Sequence, residues 1–114
     1  LLLNPFPIKH TDFVTYLSAS DVFVLSSFNE GSPNVVKEAM ACNIPIVSTK
    51  VGDVEEILAK TEGCYLSDFS SQSFGTELKK AIGFSNRTTG REDIDFLRVE
   101  NIAAEIINVY ENVK

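Results

Sequence analysis

The run Asp21-Val22-Phe23-Val24-Leu25-Ser26 constrains this chain more than any other feature. Its β-branched and aromatic residues follow one another without alternation and are bounded by polar ones, as in a strand. A strand with one wet face alternates apolar and polar residues. An unbroken apolar run therefore predicts a parallel strand covered on both faces. Parallel neighbours must be joined by crossovers, and the rest of the chain supplies helical patterns at the right intervals.

Thr11 or Asp12 can cap a short helix through Ala19, with Phe13, Tyr16 and Leu17 on one face. After the strand, Ser32 is placed to be an N-cap and Pro33 the first helical residue, where its missing N–H is harmless. Val35, Val36, Ala39 and Met40 then recur at helical spacing. Asn43 suits the left-handed residue just past the helix end, and Pro45 forbids continuation. Ile44 to Val47 reads as a second strand. Gly52 turns the chain into a helix around Val54 to Ala59, and Gly63 to Leu66 reads as a third strand. Ser70 or Ser71 caps a helix through Ile82. Beyond a polar break at Asn86 to Gly90, a helix is predicted over Arg91 to Leu97 and a long amphipathic one over about 99–113. Ile102, Ile106, Val109, Tyr110 and Val113 form the apolar stripe of this last helix. The chain opens on Leu1-Leu2-Leu3 instead of methionine. This reads as a strand already under way, ended by Asn4-Pro5, and the expectation is a piece of a longer polypeptide.

Short strands alternating with helices imply βαβ units, hence an α/β fold with a partial Rossmann-like parallel sheet and flanking helices. At 114 residues the chain has room for one domain. Its 44% hydrophobic and 23% charged content is ordinary for a soluble globular protein. A net charge of -6 argues against a nucleic-acid or anionic-membrane surface. No apolar run approaches the ~20 residues of a membrane span. Cys42 and Cys64 form no metal-type cluster and read as small buried hydrophobes in a reducing compartment. His10, the only histidine, lies among Lys9, Thr11 and Asp12 and reads as a surface or capping residue.

In parallel sheets ligands bind outside the carboxyl ends of the strands, and the loop from Ser27 to Ser32 occupies such an end. Glu30 precedes Gly31-Ser32-Pro33, and Glu38 follows inside the helix, seven residues separating the two. Both carboxylates can face the mouth of the sheet and accept hydrogen bonds from sugar or ribose hydroxyls. Between them lies a helix N-terminus, which suits a phosphate. In a chain with 16 acidic residues the spacing alone means little, and the surrounding order of residues gives it weight.

That order is an apolar strand, Ser26-Ser27, Glu30-Gly31, Pro33, Glu38-Ala39-Met40-Ala41 and Pro45-Ile46-Val47. It resembles the E-x7-E signature of retaining, nucleotide-sugar-dependent glycosyltransferases of the GT-B architecture, the group 1 glycosyl transferases. The likeness continues through Val51-Gly52-Asp53, Glu56-Ile57 and Gly63 to the terminal helix with Tyr110. The resemblance implies that residues 1–114 are the distal part of the C-terminal, nucleotide-sugar-binding domain. It implies Glu38 on the ribose hydroxyls and Glu30 on the donor sugar, as the catalytic carboxylate. The backbone amides of Gly31, Ser32, Asn34 and Val35 would approach the sugar and diphosphate. Phe6, after Asn4-Pro5, lies in a loop that in the family runs beside the base, though a core aromatic is the plainer reading.

The resemblance further implies a nucleotide diphosphate sugar as donor, with no cofactor and no metal, a carbohydrate or lipid-linked acceptor, and a cytoplasmic setting. Its partners would be the N-terminal domain of the same polypeptide and, through parts outside this chain, a peripheral membrane contact; no nucleic acid is implied. Two departures stand out. Gly52-Asp53 replaces the family's Gly-Gly, and Cys42-Asn43 replaces Cys-Gly at the helix end. The family's Arg/Lys pair for the diphosphate falls before Leu1, and Lys9, Lys37 and Lys50 do not match it, so this chain alone is expected to be inactive. The alternatives are an epimerase of the same architecture, a ligand-free βαβ interaction module, and a degenerate transferase domain kept for protein contacts. The first seldom carries this E-G-x-P context, and a receiver-like module would want an acidic cluster and a lysine at strand ends.

Overall fold

The computed structural model describes residues 7–113. The elements run α1 (His10–Ala19), β1 (Phe23–Leu25), α2 (Asn34–Ala41), β2 (Ile46–Thr49), α3 (Val54–Leu58) and β3 (Cys64–Ser67). They continue with α4 (Ser71–Gly83), α5 (Gly90–Asp93), a 3-10 turn (Asp95–Leu97) and α6 (Val99–Asn112). The predicted strand at Leu1 to Leu3 and the Asn4-Pro5-Phe6 loop lie outside the described residues.

The three strands form one parallel sheet in the order β1-β2-β3. Phe23 pairs with Ile46 and Leu25 with Ser48 on one side, and Ile46 pairs with Cys64 on the other. β2 is central and every one of its residues is buried. One face of the sheet, through Phe23, Leu25, Ile46 and Leu66, packs on a core of Leu17, Val36, Ala39, Met40, Val54 and Leu58 from α1, α2 and α3. On the alternate positions Val47 is fully buried, and α4 brings Ala81 to the sheet. The α/β fold with a parallel sheet and flanking helices is as expected.

Several boundaries differ, each for a physical reason. β1 was expected to be covered on both faces, yet Val24 is 47% exposed, because α4, which covers that face of the sheet, packs over β2 and β3. α1 starts at His10, ahead of Thr11 and Asp12. The Lys9 carbonyl accepts from Asp12 and Phe13, so Lys9 holds the cap position and Asp12 falls in the first turn. The cap of α2 is Pro33, not Ser32, whose hydroxyl is drawn to Asp53 and Lys37 instead.

The second strand begins at Ile46 instead of Ile44 because α2 ends in a Schellman arrangement. Asn43 adopts φ 55°, its N–H reaches the Met40 carbonyl at 2.8 Å, and the Ile44 N–H reaches Ala39 at 3.3 Å. Ile44 has thus spent its donor on the helix, and Pro45 has none to give. β3 is likewise displaced by one residue, as Gly63 turns at φ 88° before Cys64 enters the sheet.

The helix expected over Arg91 to Leu97 is divided. Asp93 accepts hydrogen bonds from Thr61 (2.7 Å) and Thr89 (2.9 Å), Ile94 turns toward the core, and the chain tightens into a 3-10 turn. Ser70 does cap α4, accepting from the Ser73 N–H at 3.2 Å. α6 keeps the predicted length to within a residue, and Ile106, Val109, Tyr110 and Val113 of its stripe are exposed. Cys42 and Cys64 are free thiols, half-buried where full burial was expected.

Candidate functional site

Because the strands are parallel, the loops after Leu25, Thr49 and Ser67 all emerge at one edge of the sheet. The loop after β1 carries Glu30 and leads into α2. It is tied to the central strand by one hydrogen bond and braced by a second within the loop. Thr49 Oγ1, on the last residue of β2, donates to the Ser27 carbonyl at 2.6 Å. Ser27 Oγ in turn donates to Glu30 Oε1 at 2.9 Å, which leaves the other carboxylate oxygen without a partner among the described residues.

The turn after β2 packs against the same loop. The Asp53 N–H donates to the Gly31 carbonyl at 3.2 Å. Gly52 sits at φ +52°, and a Cβ there would lie 1.9 Å from the Gly31 carbonyl oxygen. Glycine is therefore compulsory at position 52 on two counts, backbone conformation and close approach. Gly31 is different: its φ is ordinary and a Cβ would meet nothing within 4 Å. The fold itself does not need glycine at position 31.

Asp53, the departure from Gly-Gly, takes part in a small polar network. Ser32 Oγ donates to Asp53 Oδ2, Lys37 Nζ donates to Ser32 Oγ at 2.6 Å, and Lys37 lies 4.0 Å from Asp53. Asp53 Oδ1 is buried without a hydrogen-bond partner. The network fastens the side chain of Ser32 to the β2 turn, so the Gly31-Ser32 backbone is held from both sides.

At the start of α2, the backbone N–H groups of Gly31, Ser32, Asn34 and Val35 have no acceptor among the described residues. Gly31, Ser32 and Asn34 are exposed and Val35 is half-buried. Free donors at the positive end of an eight-residue helix attract an anion by about 0.3–1 kcal/mol, or ~2 kcal/mol in a sheltered setting. Glu30 precedes this helix start and Glu38 follows in the second turn of α2. Glu30 is oriented from β2, whereas Glu38 is held from α1, with its Oε1 2.9 Å from His10 Nε2. His10, read from sequence as a surface or capping residue, is exposed as expected and also reaches Glu38. The two residues are 28 positions apart, and only the packing of α1 on α2 brings them together.

A groove of about 470 Å³ opens at the same edge of the sheet, among Ser26, Phe28, Thr49, Asp68, Phe69 and Phe74. Phe28 and Phe69 stack at its mouth with ring centres 5.8 Å apart. Glu30 and Glu38 are not among its lining residues. No helix among the described residues is long and apolar enough to cross a membrane.

Residues 6–83 match the family described as Glycosyl transferases group 1. The chain is 37% identical over 65 residues to TuaC of Bacillus subtilis, a glycosyltransferase named for teichuronic acid biosynthesis, covering 57% of this chain and 17% of that protein. It is 33% identical over 60 residues to N-acetyl-alpha-D-glucosaminyl L-malate synthase of Bacillus anthracis, covering 53% of this chain and 16% of that protein. Among solved structures it superposes on sucrose-phosphate synthase of Thermosynechococcus elongatus with a TM-score of 0.75 and 25% identity. That alignment covers 93% of this chain and 28% of the synthase. The match thus spans about a sixth of the length of the curated relatives.

Proposed function

The chain belongs to the group 1 glycosyl transferases, and from that premise we propose that it is the donor-binding part of a retaining glycosyltransferase acting from the cytoplasmic side. The whole enzyme moves a sugar from a nucleotide diphosphate sugar to an acceptor hydroxyl. The C–O bond from the anomeric carbon to the diphosphate breaks with its electron pair going to the diphosphate oxygen. A C–O bond to the acceptor oxygen forms on the same face, and the acceptor hydroxyl's proton passes to the departing diphosphate. Glu38 accepts from the ribose hydroxyls and Glu30 from the donor sugar. The amides of Gly31, Ser32, Asn34 and Val35 receive the sugar and diphosphate, which the helix dipole favours.

One observation carries this reading: a carboxylate before and a carboxylate within α2 accompany a helix start whose N–H groups have no acceptor among the described residues. A glycine that the fold does not require stands between them. The combination suits a ligand with hydroxyls at both ends and negative charge in the middle. The mechanism needs no protein nucleophile, since charge on the leaving diphosphate is stabilised by oriented dipoles and by cations supplied from elsewhere in the polypeptide. On this reading the present chain by itself is inactive, and the acceptor, a carbohydrate or a lipid-linked precursor, is held by another domain.

Glu38→Gln in the full-length enzyme tests the ribose assignment. It keeps the shape and removes the charge from one or two hydrogen bonds worth about 1.5–3 kcal/mol each. Affinity for UDP, GDP or ADP, whichever binds best, should fall about tenfold or more by calorimetry. An unchanged affinity would refute the assignment.

A further inference from the structure

Glu38 is held in place by a residue from another helix. An ionised carboxylate can only accept, so His10 Nε2 carries the proton in its 2.9 Å contact with Glu38 Oε1. The Glu38 side chain is 30% exposed and the imidazole 75% exposed. The histidine reaches inward to the carboxylate and adds little to the core. Helix formation does not account for it either. His10 is the first residue of α1 and follows Lys9 at the cap. The positive end of a helix favours acidic side chains over basic ones.

We propose that His10 is a positioning residue for nucleotide-sugar binding, an inference that rests on the reading of Glu38 as the ribose ligand. A carboxylate has about four acceptor sites. His10 takes one, on Oε1, and no other described side chain donates to Glu38. Oε2 and the second lone pair of Oε1 stay open for the ribose hydroxyls. A free glutamate would have to surrender its rotamer freedom when the ribose arrives, a cost that His10 has already met in the unliganded protein.

The test is a double-mutant cycle in the full-length enzyme, read as affinity for UDP, GDP or ADP by calorimetry. His10→Ala should weaken binding about two- to fivefold, and His10→Gln, which restores an N–H at similar reach, should recover most of the loss. In a Glu38→Ala background, which leaves His10 nothing to hold, His10→Ala should have almost no further effect, because the two act as one unit. If Glu38→Gln weakens binding and His10→Ala does not, the positioning role is wrong and the ribose reading survives. Equal losses from His10→Ala in both backgrounds would also overturn it, since the imidazole would then act on its own. If Glu38→Gln itself changes nothing, the ribose reading falls and this inference falls with it. Should His10→Ala fold poorly, the same cycle with His10→Gln and His10→Asn separates a group that reaches Glu38 from one that falls short.

Discussion

Two glycines 21 positions apart should respond to the same substitution in opposite ways. At Gly52 an alanine must adopt φ near +52°, which costs about 1–2 kcal/mol for a residue with a Cβ. Its methyl would also lie 1.9 Å from the Gly31 carbonyl oxygen and 2.6 Å from the carbonyl carbon. No Cβ tolerates such contacts, so the turn or the Glu30-Gly31 loop must move, at a further ~1–3 kcal/mol. A total of about 2–5 kcal/mol corresponds to a fall in Tm on the order of 10 °C or more for a domain of this size. Donor affinity should fall with it, because the loop that moves carries Glu30. At Gly31 an alanine meets nothing within 4 Å and needs no unusual φ. Stability should stay within about 0.5 kcal/mol of the parent, while donor affinity drops about tenfold as a methyl enters the space left for the diphosphate. Differential scanning calorimetry and nucleotide titration of the full-length enzyme separate the two effects. Equal Tm losses at both positions, or a Gly52→Ala variant that melts with the parent, would refute the reasoning.

Asn43 combines φ 55° with a side-chain acceptor 2.8 Å from the Arg91 N–H. Asn43→Ala should therefore destabilise by about 2–3 kcal/mol in urea unfolding, and Asn43→Gly, which relieves φ and loses only the hydrogen bond, by about 1 kcal/mol. An equal cost for both would remove the left-handed backbone from the explanation. Burial pushes the Cys64 thiol from the usual 9.0 up to about 11; the nearby Asp93 charge adds to the rise, and a backbone hydrogen bond with Ile46 opposes it. The folded state therefore holds this proton more tightly than the unfolded chain. Stability from this group is intact below pH 9 and is lost as pH climbs toward 11. Reaction of Cys64 with a thiol reagent at pH 8 should be slower than that of an unperturbed cysteine by about tenfold or more, and labelling at the rate of a free thiol would contradict its burial.

The parts of the fold fixed by local chemistry were legible before the structure. Asn43 at a helix end, Pro45 beyond it and Ser70 before α4 each state a backbone requirement in a single residue, and each stands where expected. Strand edges were less legible, because Ile44 looks like any other strand residue until its N–H is seen bound to Ala39. Ser32 has the chemistry of a cap, but its hydroxyl was claimed by Asp53 and Lys37 from outside the local sequence. The same limit applies to the site. The order of residues around Glu30 and Glu38 suggested a ligand-facing loop, whereas His10 and Thr49 became partners only through the packing of α1 and β2. A lone histidine beside a lysine and a threonine gives no sign of a carboxylate 28 residues away.

The path from Thr49 through the Ser27 carbonyl to Glu30 has a kinetic consequence. Thr49 ends the strand that the rest of the molecule encloses, and strands of that kind open only when the whole domain unfolds. A loop carboxylate would ordinarily reorient within nanoseconds to microseconds. Here the Ser27 backbone is moored to the central strand, so the loop beneath Glu30 should move less than an untethered one, and the carboxylate should reorient only by breaking its bond to the Ser27 hydroxyl.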